Sequence, residues 1–212
     1  PETRSTLMPY CALQIHATAS DGLAGLGACF RGSRAKADEE VQYLWTNGHT
    51  ASTLQARGSG QEVLNGGGCM AVLCVRSGLH LLCGTLDLPR GSEVVMSGLN
   101  IPDVPAILEH HGLICVPIDL DLETLTVDID QMENAVTTAT RMILIAHVYG
   151  ARGDVRPVIE LARRYGLLVV EDCAEALDGM RYKGHPEADV ALFSFGPIKF
   201  SSVFQGGIMR VK

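Results

Sequence analysis

From residue 69 onward, short apolar runs alternate with longer stretches in which apolar positions recur every three or four residues. "CMAVLCV" (69–75), "SEVVMS" (92–97), "LICVPIDLD" (113–121), "RMILIAHVYG" (141–150), "LLVVED" (167–172), "ADVALFSF" (188–195) and "GGIMRVK" (206–212) read as strands. Between them, "SGLHLLCGTLDL" (77–88), "IPDVPAILEHHG" (101–112), "DIDQMENAV" (128–136) and "DVRPVIELARRYG" (154–166) read as helices. Ser77, Asp128 and Asp154 are the expected N-caps. Pro102 suits a first turn, Gly112 a stop, and Arg163 and Arg164 the last turn of their helix, where the dipole favours cations. Strands this continuously apolar, alternating with helices, predict an α/β fold of three layers: a mostly parallel sheet with helices on both faces.

The first 67 residues behave differently. They are rich in Gly, Ala, Ser and Thr with weak periodicity, and form a poorly defined N-terminal segment set apart from a domain over 68–212. "RAKADEEVQYLWT" predicts a short helix around 35–45, and "NGGG" at 65–68 a loop. "GLAGLGACF" clusters glycines without the strand–GxGxxG–helix order of a dinucleotide site. The formal charge of −7, with no basic run, excludes a nucleic-acid footprint. No apolar run is long enough for a membrane helix, and no secretory signal is visible. Seven cysteines, an odd number with no C-x-x-C pair, read as reduced thiols in a cytoplasmic protein. His110, His111 and Cys115 lie close together, but their spacing fits no structural zinc pattern, so no metal is expected. Pro1 and Lys212 as end residues suggest a fragment or a processed product.

The ends of the expected strands carry the candidate chemistry. In open α/β sheets, ligands gather at the carboxyl ends of the strands. Asp172 ends "LLVVED", Ser194 ends "ADVALFS", and Lys199 follows five positions later. Ser77 and Gly78 lie where "CMAVLCVRSG" turns into its helix, where free N–H groups can hold a phosphate. A lysine, a carboxylate and a helix start match what pyridoxal 5′-phosphate requires: an amine for the imine, an anion for the pyridine nitrogen and an anchor for the phosphate.

Four segments resemble the DegT/StrS family of PLP-dependent aminotransferases, of the aspartate-aminotransferase-like class known as fold type I. They are "VRSGLHLL"; the middle stretch from "GSEVVMS" through "HVYGARGDV"; "VVEDCAEALDGMRYKG"; and "DVALFSFGPIKFSSVFQGG". The resemblance covers 68–212. It implies the large domain of that fold, with the small C-terminal domain absent, and a homodimer that handles a small-molecule amino donor and a keto acceptor, a keto sugar among them. It makes Lys199 the Schiff-base lysine and Asp172 the partner of the ring nitrogen. It sets Ser194 at the phosphate or the ring-side network, Gly78, Leu79 and His80 along the phosphate, and Glu175 at the ring hydroxyl. The sequence departs from the family pattern in four places. Leu79 replaces a hydroxyl residue, Ile101 an aromatic that stacks on the ring, Glu175 a neutral glutamine or histidine, and Gly196 a frequent histidine. These departures keep a second reading open, in which the fold binds a cofactor or a partner without turnover.

Overall fold

A strand covered on both faces must send successive side chains into two different apolar layers. The computed structural model, which describes residues 68–177, 182–199, 202 and 205–212, shows how this chain meets that demand. Strands β1 (Gly68–Val72), β2 (Glu93–Ser97), β3 (Ile114–Ile118), β4 (Thr140–Ala146), β5 (Leu168–Asp172), β6 (Val190–Ser194) and β7 (Gly207–Val211) form one sheet in the order β1-β7-β6-β5-β4-β2-β3. Strands β2 to β6 pair in parallel, and β7 lies antiparallel between β1 and β6. Helices α1 (Val75–Leu86), α2 (Asp103–His110), α3 (Ile129–Ala135) and α4 (Arg156–Tyr165) cover the two faces. The expected helix around 35–45, and the N-terminal segment as a whole, lie outside the described residues.

Alternation divides the core. Val94, Met96, Met142, Leu144, Val170 and Leu192 face α1 and α2, where they meet Leu79, Leu82, Val104 and Leu108. Their neighbours Val95, Ile143, Ile145 and Val169 face α3 and α4, against Met132, Val158, Ile159 and Leu161. A third cluster, with Cys69, Ala191, Phe193 and Ile208, continues the second face across β6, β7 and β1. Extending the alternation by one residue sends Asp172 toward the α1 side and Glu171 toward the other.

The helix ends follow their caps, with two shifts from the sequence reading. Asp128 caps α3 as expected, its carboxylate accepting from the Gln131 N–H at 3.0 Å. Asp154 lies one residue outside α4, whose N-cap is Val155, yet its carboxylate still accepts from the Arg156 N–H at 3.0 Å. α1 begins earlier than its sequence suggests: Cys74 is the N-cap and Ser77 the third helical residue. The two form a capping box, in which Ser77 Oγ accepts from the Cys74 N–H at 3.0 Å and donates to the Cys74 carbonyl at 2.8 Å.

Because β7 reverses direction between β1 and β6, β1 and β6 point the same way. The start of α1 therefore lies at the sheet edge where β4, β5 and β6 end. Gly207 allows the close approach there: a Cβ on it would meet the Phe193 carbonyl at 2.6 Å, Val72 at 3.1 Å and the Cys74 carbonyl carbon at 3.3 Å. Gly207→Ala is expected to lower unfolding stability by about 2 kcal/mol, measured by urea denaturation. An unchanged midpoint would show that the β6–β7 pairing is looser than this packing requires.

Candidate active site

Five parallel strands deliver their ends to one edge, and three of those ends build a cleft of about 280 Å³. The segment after β2 contributes Asn100 and Ile101, the segment after β4 contributes His147 and Tyr149, and the end of β5 contributes Asp172 and Glu175. Lys199, in the loop after β6, closes the remaining side.

The acid and the amine meet there. Asp172 is buried, and its Oδ1 accepts from the Ala174 N–H at 2.9 Å. Burial pushes its pKa up, against the Ala174 hydrogen bond and the positive charges on Lys199 and His147, which favour the anion. Lys199 Nζ lies 3.5 Å from Glu175 Oε1, with 18% of its side chain exposed. The other Glu175 oxygen accepts from the Tyr149 N–H at 2.8 Å. That contact depends on a left-handed turn, φ 56° at Tyr149 and 79° at Gly150, which points the Tyr149 amide back toward the cleft. Ile101 lines the same cleft and is half exposed.

Ser194 ends β6 beside the start of β7, its backbone paired with Gly207, which places it next to Cys74 and the first turn of α1. The free N–H groups of that turn belong to its first residues, Val75 and Arg76. Gly78 is already inside the helix, its N–H bonded to the Cys74 carbonyl at 3.1 Å. What Gly78 provides is space, since a Cβ on it would lie 3.1 Å from Leu192. Leu79 is 1% exposed, in the core under α1. His80 points away, its Nδ1 3.0 Å from Nε2 of His111. The structure thus brings Asp172, Glu175 and Lys199 into one cleft, with Ser194 nearby. It leaves Gly78, Leu79 and His80 outside the cleft. Cys115 is also apart from the histidines, its thiol facing the Pro105 carbonyl at 3.9 Å.

One functional-looking pair escaped the sequence reading. Glu171 is fully buried. Burial raises its pKa, but hydrogen bonds from His147 Nε2 at 2.8 Å, the Tyr182 hydroxyl and the His185 N–H at 2.7 Å outweigh that and hold it below the usual range. Gly184, at φ 80°, lets the 182–185 segment press onto β6 and the carboxylate. The ligating atoms of His147, Glu171 and Cys173 lie within 4.8 Å of one another. The Glu171 oxygens are already taken up by three donors, and burial keeps the Cys173 thiol protonated, so this is a hydrogen-bonded cluster and not a metal centre. The signal was present in "LVVED": two acids in succession at a strand end must face opposite sides. Among the described residues, the five cysteines 69, 74, 83, 115 and 173 are free thiols. No described helix is long and apolar enough to cross a membrane.

The model of the DegT/DnrJ/EryC1/StrS aminotransferase family matches residues 46–212. The chain belongs to that family. Its fold is similar to that of the putative sugar aminotransferase Spr1654 from Streptococcus pneumoniae in its PLP form, at 20% identity, TM-score 0.73, over 92% of this chain and 51% of that one. It is also similar to the aminotransferase TlmJ from Streptoalloteichus hindustanus, at 24% identity, TM-score 0.69, over 92% and 51%. A third similar structure is DesV from S. venezuelae in complex with a ketimine intermediate, at 25% identity, TM-score 0.69, over 91% and 48%. The chain spans about half the length of these proteins.

Glu171 gives the family fold a pH signature. Its folded pKa lies below its unfolded value. Its stabilisation is therefore complete above the unfolded value of about 4.3 and lost as pH falls through the depressed folded value. Unfolding free energy should decline in acid more steeply for the native chain than for Glu171→Gln. Parallel acid profiles for the two would contradict the assigned hydrogen bonding.

Proposed function

We propose that this chain is the cofactor-binding large domain, residues 68–212, of a pyridoxal-phosphate-dependent aminotransferase. It moves an amino group from an amino acid donor to a keto acceptor. The observation that carries the reading is the meeting of Lys199, Glu175 and Asp172 in one cleft at the carboxyl edge of a parallel sheet. Family membership supports the reaction class.

The residues fit the cofactor. A cleft of about 280 Å³ is close to the lower end of small-molecule sites, roughly 300 Å³. It offers an amine, a buried carboxylate and, at the same sheet edge, the start of a helix. Bound there, pyridoxal phosphate supplies an aldehyde to carry the amino group and a ring to accept electrons from the donor carbon.

Asp172 would hold the proton on the ring nitrogen. Burial raises its pKa, opposed by the Ala174 N–H and by the charges of Lys199 and His147. Lys199 would hold the cofactor through its amine, and that amine would serve as the base and acid for the proton at the donor carbon. Its 3.5 Å approach to Glu175 holds the amine inside the cleft. Glu175, oriented by the Tyr149 N–H, would meet the ring hydroxyl. Ile101, which lines the cleft, would give the ring an aliphatic contact. The Val75 and Arg76 N–H groups, at the sheet edge where Ser194 ends β6, would hold the phosphate in preference to Gly78, Leu79 and His80. A homodimer completes the cleft, and a keto sugar is the proposed acceptor class, in line with the sugar aminotransferase among the similar folds.

Lys199→Ala and Lys199→Arg should each lower transamination by about a thousandfold or more. Val75→Pro, which removes one free N–H at a position where proline is tolerated, should weaken cofactor affinity and leave circular dichroism unchanged. Steady-state rates and cofactor titration measure both. A Lys199→Ala protein with unimpaired turnover would refute the assignment.

A further inference from the structure

Away from the cleft, three histidines meet on the outer side of α1. His80 comes from α1, His110 ends α2, and His111 follows it. The ring centroids are 4.7 Å apart for His80 and His111, 5.4 Å for His110 and His111, and 5.6 Å for His80 and His110. Nδ1 of His80 and Nε2 of His111 are 3.0 Å apart.

These separations have a specific meaning. Zinc binds imidazole nitrogen at about 2.0–2.1 Å, so a ligating ring has its centroid about 3.2 Å from the metal, and two rings at a tetrahedral angle have centroids about 5.2 Å apart. The observed values bracket that spacing on all three sides. His111 lies against α1 beside Gly84, one turn beyond His80 on the same helix. The His80 and His111 nitrogens already meet, and His110 is exposed with a broad χ2 torsion, so it can bring a nitrogen to them without disturbing packed residues.

We propose that His80, His110 and His111 bind one divalent transition-metal cation of the zinc class, with water completing the coordination. Imidazole donors suit Zn²⁺, Cu²⁺, Ni²⁺ and Co²⁺, and a three-histidine set with an open position is an established zinc arrangement. The bound ion ties α1 to the end of α2. Its ligands come from two elements about thirty residues apart in sequence, which explains why the local spacing of His110, His111 and Cys115 matches no zinc pattern. The site is independent of the cofactor reading.

The probe is Co²⁺ alone, titrated into the reduced, metal-free chain. The expected result is a saturable visible d–d band with a stoichiometry of one, lacking a near-ultraviolet thiolate charge-transfer band, and displaced by Zn²⁺. His80→Gln and His111→Ala should each weaken Co²⁺ binding at least tenfold. His80→Gln is an exposed helical change that preserves the circular dichroism of the chain. Added Zn²⁺ should raise Tm in the native chain and leave it unchanged in His80→Gln. A thiolate band, non-saturating binding, or equal affinity in His80→Gln would overturn the proposal.

Discussion

Two successive carboxylates at the end of β5 face opposite sides of the sheet, and the site is organised around that geometric fact. Glu171 goes into the interior, where an unpaired charge would cost several kcal/mol. It is tolerated because His147, Tyr182 and the His185 amide converge on it. In satisfying that charge, the chain fixes the end of β4 and the segment that approaches β6. Asp172 is then left facing the cleft, with the His147 N–H bonded to its carbonyl at 3.0 Å. The carboxylate beneath the cleft floor is paired on both oxygens.

A second constraint is directional. β7 runs against both its neighbours, so β1 and α1 return to the edge where the parallel strands end. Gly207 lets that junction close. The lysine loop, the acid and the helix start become neighbours through strand direction, although they are far apart in sequence.

Much of this was readable beforehand. The apolar runs that became β2, β4, β5 and β6 announced themselves because both faces of each strand are covered. The strand-end positions of Asp172 and Ser194, with Lys199 in the loop beyond, follow from where the apolar runs stop. The start of α1 was misread by three residues. Ser77 resembles an N-cap, but it is the far member of a capping box whose near member is a cysteine, a residue type with little cap signal. The phosphate contacts at Gly78, Leu79 and His80 rest on the family resemblance; in the structure Leu79 is core and His80 belongs to the outer histidine cluster. The antiparallel direction of β7 was not legible, because chain direction is set by the connection and not by the strand's own pattern. The role of Glu171 depended on donors from residues 147, 182 and 185, and no local window contains all of them.

The most direct test of the account is to load the protein with pyridoxal phosphate, reduce it with borohydride and locate the modified residue by peptide mass spectrometry. The account predicts a single pyridoxyl adduct on the Lys199 amine, absent from Lys199→Arg. An adduct on Lys183 or Lys212, or no adduct in a folded, cofactor-saturated protein, would contradict it.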